Sequence, residues 1–319
     1  MKDSSLYYSV GPLLYCPADR GDLAGSLIRG QFGTGYSLSL CLEDTIRDNH
    51  VQEAEHTLIR TLKTLYRERN LRDFYLPQIF IRVRNASQIP SLLERLGEAQ
   101  SVVSGFALPK FSEKNADDYL KQIETAGRTY RRNIYAMPIL ESPDLLSLTE
   151  RPRVLAAIRG KLDDAEPLIL NIRVGGNDLC HLFGFRRRSD ETIYDILPVA
   201  SILSDIVTTF GTDYVVSGPV WEYYSGPDWK SGLVRELKKD RLCGFIGKTV
   251  IHPRQIEVVR DAYMVSPQEL EDAKAILGWN DTCERLVASN ASKERMDEFK
   301  THYNWAAVTV MLSEAYGVK

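Results

Sequence analysis

Residues 168–185, LILNIRVGGNDLCHLFGF, run from alternating apolar positions into the glycine pair Gly175 and Gly176, then reach Asn177 and Asp178. Alternation of this length reads as a buried strand. Glycine permits the backbone of a tight turn, so a turn alone accounts for the pair. It does not account for a carboxylate on that turn, and the segment therefore reads as a strand that delivers a candidate functional acid.

The same pattern recurs along the chain. Strand-like runs fall at 11–16, 36–42, 79–84, 105–109, 134–140, 168–174, 213–218 and 243–251. Between them lie stretches of helical period: 49–69, with Val51, Leu58, Leu62 and Leu65 on one face, then 115–132 and 192–211. The first and third connections show that period least. Strands alternating with helices predict a parallel sheet covered by helices, and eight such units fit a closed α/β (β/α)8 TIM barrel better than an open doubly wound sheet. The glycine-rich 30–35 precedes a strand, whereas a dinucleotide-binding loop follows one and opens a helix. Past residue 264, Ser266 reads as a helix cap, with Pro267 in the first turn and Glu269 three residues after the cap, and the chain reads as helical to Lys319. The expected organisation is a catalytic barrel over 1–264 and a helical extension over 265–319, serving as a lid or in oligomerisation.

Composition narrows the partners. The chain has 319 residues, 44% of them hydrophobic, enough for a large core. Its net charge is −3 with signs mixed along the sequence, so no basic field awaits nucleic acid. The one basic run, Arg186, Arg187 and Arg188, reads as a solvated loop, with contact to an anionic ligand as the minority alternative. Cys16, Cys41, Cys180, Cys243 and Cys283 lack metal-ligand spacing and read as reduced, mostly packed thiols. With no signal-peptide pattern at the start and no apolar run long enough to span a membrane, a cytoplasmic protein is expected.

In a barrel of this kind, chemistry belongs where the strands end at their C-terminal side. Glu43 and Asp44 follow the second candidate strand; Arg82 and Arg84 lie on the third; Lys110 follows the fourth, Glu141 the fifth, Asp178 the sixth and His252 the eighth. Glu141 and Asp178 follow adjacent strands, and two carboxylates with open positions between them suit Mg²⁺, with Mn²⁺ as the substitute. The competing explanation pairs Glu141 with a cation and makes Asp178 a helix cap. Gly175 and Gly176 would let backbone amides approach a ligand carboxylate.

The segments LLYCPADR, LCLEDTI, IRVRN, LPK, ILES, GGNDL and GKTVIHPRQI, in this order over about residues 11–275, resemble the citrate lyase beta-subunit-like family within the HpcH/HpaI aldolases, which includes malyl-CoA lyase. The likeness is strongest to a divergent branch of carbon–carbon bond lyases associated with tellurium-resistance operons. It implies a TIM barrel and a Mg²⁺-dependent lyase or aldolase that forms or cleaves a small oxo or hydroxy acid through a metal-stabilised enolate. Carried over by motif, Glu141 and Asp178 are the metal ligands, Arg82 steadies the developing enolate oxygen or a substrate carboxylate, and Glu43 and Asp44 hold metal-bound waters. His252 sits near the rim in a structural role. The candidate substrate contacts are Arg82, Arg84, Lys110, Gly175, Gly176 and Asn177. The family also implies a homo-oligomer, a trimer or hexamer.

The sequence departs from the family pattern in three places. Arg84 occupies the usual asparagine position of the arginine motif, and the acid after LPK comes late, at Glu113; both changes suggest a more anionic substrate. The lid aspartate motif of the malyl-CoA lyases is missing, and Asp297 lacks the glycine that accompanies it, so acyl-CoA stays an open partner. Tyr303, Trp305, Val308, Met311 and Leu312 read as a docked or intersubunit helix. The reading from another class is a non-catalytic barrel serving as a binding or scaffold component of a stress-response assembly. A phosphoenolpyruvate-type mutase would need a phosphate loop that the sequence does not display.

Overall fold

The computed structural model describes residues 2–279, 287–290 and 293–319. Eight parallel strands, β1 (Pro12–Pro17), β2 (Ser37–Cys41), β3 (Ile79–Arg82), β4 (Val103–Leu108), β5 (Tyr135–Leu140), β6 (Ile172–Val174), β7 (Val216–Ser217) and β8 (Lys248–Val250), follow one another around a single sheet, with β8 returning beside β1. The ring closes where the Ile246 amide donates to the Val216 carbonyl at 2.8 Å and the Gly218 amide to the Gly247 carbonyl at 3.0 Å. All eight expected strands form this α/β (β/α)8 barrel, although β6, β7 and β8 are shorter than their apolar runs.

A helix follows each strand. The long amphipathic segments become α2 (Val51–Glu68), α4 (Ala116–Tyr130) and α7 (Leu197–Phe210); α5 (Arg151–Asp164), α8 (Trp229–Leu242) and α9 (Arg254–Tyr263) complete that side of the barrel. The weakly periodic connections carry only α1 (Leu23–Ile28) and α3 (Gln88–Leu96). Between β6 and α7 an additional helix, α6 (Gly176–Phe183), opens directly on the glycine turn. Most of the core lies between strands and helices, and a smaller apolar plug of Val10, Leu13, Phe80, Ala107, Met137, Ile139 and Leu170 fills the barrel itself. Side chains two residues apart on a strand share a face. The residues two beyond Leu13, Phe80 and Ile139 are Tyr15, Arg82 and Glu141, which stand above the plug at the C-terminal mouth.

Two expectations are corrected. The chain after α10 (Pro267–Leu277) is not helical throughout: β9 (Val287–Ser289) and β10 (Met296–Glu298) pair antiparallel before α11 (Phe299–Tyr316). Ala273, Ile276 and Ala306 join α10 to α11, and the Tyr316 ring packs 5.3 Å from Tyr263, so α11 docks against its own barrel. Tyr303 remains exposed. The basic run is not wholly solvated either: Arg187 is buried, 3.2 Å from Glu236, and Lys248 of β8 meets Glu236 at 2.9 Å and Asp240 at 2.7 Å, all three fully buried.

Cys16, Cys41 and Cys180 are buried free thiols and Cys243 is exposed; Cys283 lies outside the described residues. Among the described residues no helix is long and apolar enough to cross a membrane.

Candidate active site

A pocket of about 460 Å³ opens at the C-terminal mouth. Its walls include Asp44, Arg82, Glu141, the turn from Gly175 to Asp178, and four side chains that the motif reading did not single out for the site: Tyr15, Arg173, Glu222 and Thr249. Arg186 of the basic run also lines it. The overlooked group was partly legible, since Tyr15 and Arg173 interrupt otherwise apolar strands at alternating positions.

Arg82 organises one side. Its Nη2 lies 2.7 Å from Glu43 Oε2, 2.7 Å from Asp44 Oδ2 and 3.5 Å from Glu141 Oε1, with only 8% of its side chain exposed. Burial alone pulls the arginine toward neutrality, but Tyr15, Glu141, Cys41 and Glu43 around it more than reverse that, so the guanidinium stays charged. Lys110 Nζ adds a second cation 2.6 Å from Glu43 Oε1. Burial raises the Glu43 pKa, and the neighbouring Asp44 adds to the rise. For Asp44 burial acts in the same direction, yet the hydrogen bond with Glu43 and the charges of Arg82 and Lys110 hold its pKa below the usual value. The two neighbouring acids are thus shifted in opposite directions.

Glu141 is 3% exposed, and burial pushes its pKa up to about 8 against the pull of Arg82, with the Asp178 carboxylate pushing the same way as burial. One of its oxygens accepts the Lys110 backbone amide at 2.9 Å. Lys110 presents that amide from a left-handed backbone, φ 49°, which a lysine rarely adopts. A Cβ at position 175 would fall 1.9 Å from Glu141 Oε2, and one at 176 would fall 2.6 Å from both Ile193 Cδ1 and Pro219 Cβ. Neither glycine has positive φ, so close approach rather than turn flexibility requires them. Gly175 makes room for Glu141 itself.

Arg84 is directed elsewhere. Its Nη1 donates to the carbonyls of Leu42, Glu43 and Ile46 at 3.1 to 3.4 Å, and its Nη2 meets Asp48, so it braces the loop that carries Glu43 and Asp44 instead of lining the pocket. His252 stacks flat on Tyr224, ring centroids 4.7 Å apart, and accepts the Arg254 amide through Nδ1; it too is absent from the pocket wall. Asp297 is buried in β10 with its Oδ1 3.5 Å from Arg295.

The donor set fits a hard divalent cation. Among the described residues Asp178 has no cation within ion-pair distance, and it shares an accessible pocket with the carboxyl of Glu141, so the two acids can be ionised together at low cost only when positive charge enters. No set of three or more His, Cys, Asp or Glu side chains converges as a complete cage among the described residues. Mg²⁺ commonly keeps several waters and needs only one or two carboxylates, so two protein ligands suffice for that ion.

A family model, carbon–carbon bond lyase of the TIM-barrel fold, matches residues 4–318, and the chain belongs to that family. It is 25% identical over 244 residues to the human mitochondrial citramalyl-CoA lyase, covering 74% of this chain and 66% of that relative, a little under two thirds of its length. Among solved structures it resembles a citrate lyase from Burkholderia xenovorans LB400, with TM-score 0.73 at 15% identity over 97% of this chain and 93% of that one. It also resembles CitE from Mycobacterium tuberculosis in complex with magnesium, acetoacetate and coenzyme A, with TM-score 0.61 at 20% identity over 97% and 99%. At these identities the two solved structures speak to the fold.

Proposed function

We propose that the chain is a divalent-metal-dependent carbon–carbon lyase or aldolase acting on a small oxo or hydroxy acid, with Glu141 and Asp178 as the metal ligands and Mg²⁺ as the resident ion. The observation that carries this reading is the meeting of Glu141, Asp178 and Arg82 in one pocket at the mouth of the family's barrel. Relatives support it: the human relative is a citramalyl-CoA lyase, and the CitE structure holds magnesium with acetoacetate.

Breaking or making a bond beside a carbonyl places negative charge on the carbonyl oxygen. A bound divalent cation would supply positive charge against it. Arg82 supplies a second, permanent positive charge, fixed before the reaction by Glu43 and Asp44, so little reorganisation is needed as charge develops. Glu43 and Asp44 orient Arg82 and hold waters at the rim. Gly175, Gly176 and Asn177 bring the backbone close enough to receive a substrate carboxylate at the start of α6. Lys110 completes the positive side of the rim. Tyr316 of α11 lies beside Gly11 and Gly247, at the N-terminal ends of β1 and β8 and away from the mouth, so in this reading the extension serves a symmetric oligomer and not as a lid.

The test is proton exchange in D₂O, followed by ¹H NMR of the methyl groups of pyruvate and of acetyl-CoA with Mg²⁺ present. Protein-dependent loss of either methyl signal, abolished in Arg82→Ala, supports enolate chemistry, and the acid that responds decides whether CoA is used. A metal-loaded protein that exchanges neither would favour a non-catalytic barrel.

A further inference from the structure

After β7 the chain runs without regular structure through Val220, Trp221, Glu222 and Tyr223, yet the backbone on both sides of Glu222 is fastened by buried groups. The Arg187 guanidinium donates to the Val220 carbonyl, and the fully buried Gln255 donates through Nε2 to the carbonyls of Trp221 and Tyr223, both at 2.9 Å. The Trp221 ring centroid lies 5.2 Å from Arg187 Cζ, and the Tyr223 hydroxyl donates to the Arg187 carbonyl at 3.2 Å. A loop pinned by such packing and hydrogen bonds holds a side chain in a fixed geometry. The Glu222 side chain takes no part in the pinning, and it lines the pocket at the barrel mouth.

Forming an enolate needs a group that accepts a proton from carbon, and most ionisable side chains of the pocket are committed elsewhere. Arg82, Arg173 and Arg186 are guanidiniums and accept no proton. Asp44 is bound to Arg82 at 2.7 Å. Burial keeps Tyr15 a neutral phenol. Glu141 and Asp178 are the carboxylates that the reading above gives to the metal. Among the described residues of the pocket wall, Glu222 is the carboxylate that remains. Its contact with Arg186 is long, at 3.6 Å, and the Arg186 side chain is 77% exposed, so the pair is weak. Glu222 and Arg186 also border an adjoining cavity of about 330 Å³, which gives a proton on Glu222 an exit to water.

We propose that Glu222 is the general base that takes the proton from the carbon beside the substrate carbonyl. This rests on the metal-dependent reading above and supplies the proton acceptor which that reading leaves unassigned. The C–H electron pair becomes the carbon–carbon double bond of the enolate, the carbonyl π pair moves to the oxygen, where Arg82 supplies positive charge, and the proton goes to a carboxylate oxygen of Glu222. In the reverse step the Glu222 acid returns that proton to carbon. Arg187 and Gln255 are positioning residues here, since they fix the carboxylate before the substrate arrives.

The experiment follows the methyl signals of pyruvate and of acetyl-CoA by ¹H NMR in D₂O with Mg²⁺-loaded wild type, Glu222→Gln and Glu222→Asp, and measures the Mg²⁺ affinity of each protein by calorimetry. Wild type should exchange one of the two methyl groups. Glu222→Gln, similar in size but unable to accept the proton, should slow that exchange by about a hundredfold or more, with Mg²⁺ affinity and melting temperature unchanged. Glu222→Asp keeps the carboxylate on a shorter stem and should retain part of the rate. Exchange at the wild-type rate in Glu222→Gln overturns the assignment alone and leaves the metal-dependent reading standing. A Glu222→Gln protein whose Mg²⁺ affinity falls in step with its exchange rate also overturns it, because the carboxylate would then act through the geometry of the site. If wild type binds Mg²⁺ and exchanges neither methyl group, the enolate reading fails and this assignment with it.

Discussion

The Cβ that any other residue would carry at position 175 falls 1.9 Å from Oε2 of Glu141 and 2.5 Å from its Cβ. The turn after β6 and the acid after β5 are thus one steric unit, and the two strands that carry them are neighbours in the sheet. Gly175→Ala must push Glu141 aside. We expect a loss of stability of about 1–3 kcal/mol, the usual range for overpacking, and Mg²⁺ affinity weakened well beyond what that loss explains. Unchanged metal affinity in a folded Gly175→Ala protein would separate Glu141 from the metal.

The buried Glu141 carboxyl gives a pH signature in chelator. Its folded pKa of about 8 lies above the ordinary carboxylate value, so the protonated form is the one the fold favours. The associated stability is fully present below about pH 4.5 and is lost as pH rises through 8. Glu141→Gln, neutral at every pH and still able to accept the Lys110 amide, should therefore melt higher than wild type without metal, by a margin that grows from pH 5 to pH 8. Added Mg²⁺ should raise the wild-type melt and leave the variant's unmoved. A margin that shrinks with pH would contradict the burial argument.

The salt cluster beneath β8 is structural by this account. Lys248→Met would leave Glu236 and Asp240 fully buried without their shared ammonium. Removing one partner of such a cluster typically costs about 3–5 kcal/mol, and denaturant titration should read a loss of that size. A near-neutral variant would show that the two acids find protons or Arg187 at little expense.

Much of the barrel was legible because each apolar run keeps its period and each is separated from the next by a helix-length segment. The rim acids were legible because they follow those runs. Direction was harder. Arg82 and Arg84 share a parity, but β3 ends at Arg82, and past the last ladder bond alternation no longer decides where a side chain points; Arg84 turns to the Glu43 loop. Arg173 sits inside a run that reads as plain strand, and only the closure of the ring shows that its parity faces inward. The glycine pair reads locally as a tight turn or as a close approach to a ligand, whereas Gly175 is required by Glu141 on the neighbouring strand, which no local pattern records. The hairpin of β9 and β10 escaped because its short strands carry exposed Val287 and Met296 and no alternation strong enough to compete with the helical signals on either side.

The central claim is that Asp178 and Glu141 hold a divalent cation that prepares the pocket for an oxoacid. Isothermal titration of Mg²⁺ and Mn²⁺ into chelator-stripped wild type and Asp178→Ala, with and without pyruvate, oxaloacetate or glyoxylate, tests it most directly. The account predicts saturable binding by wild type that tightens with an oxoacid, and none by a variant whose circular-dichroism melt is nearly unchanged. Metal binding of equal strength in Asp178→Ala, or none in wild type, would contradict it and leave the glycine turn as a structural corner of the barrel.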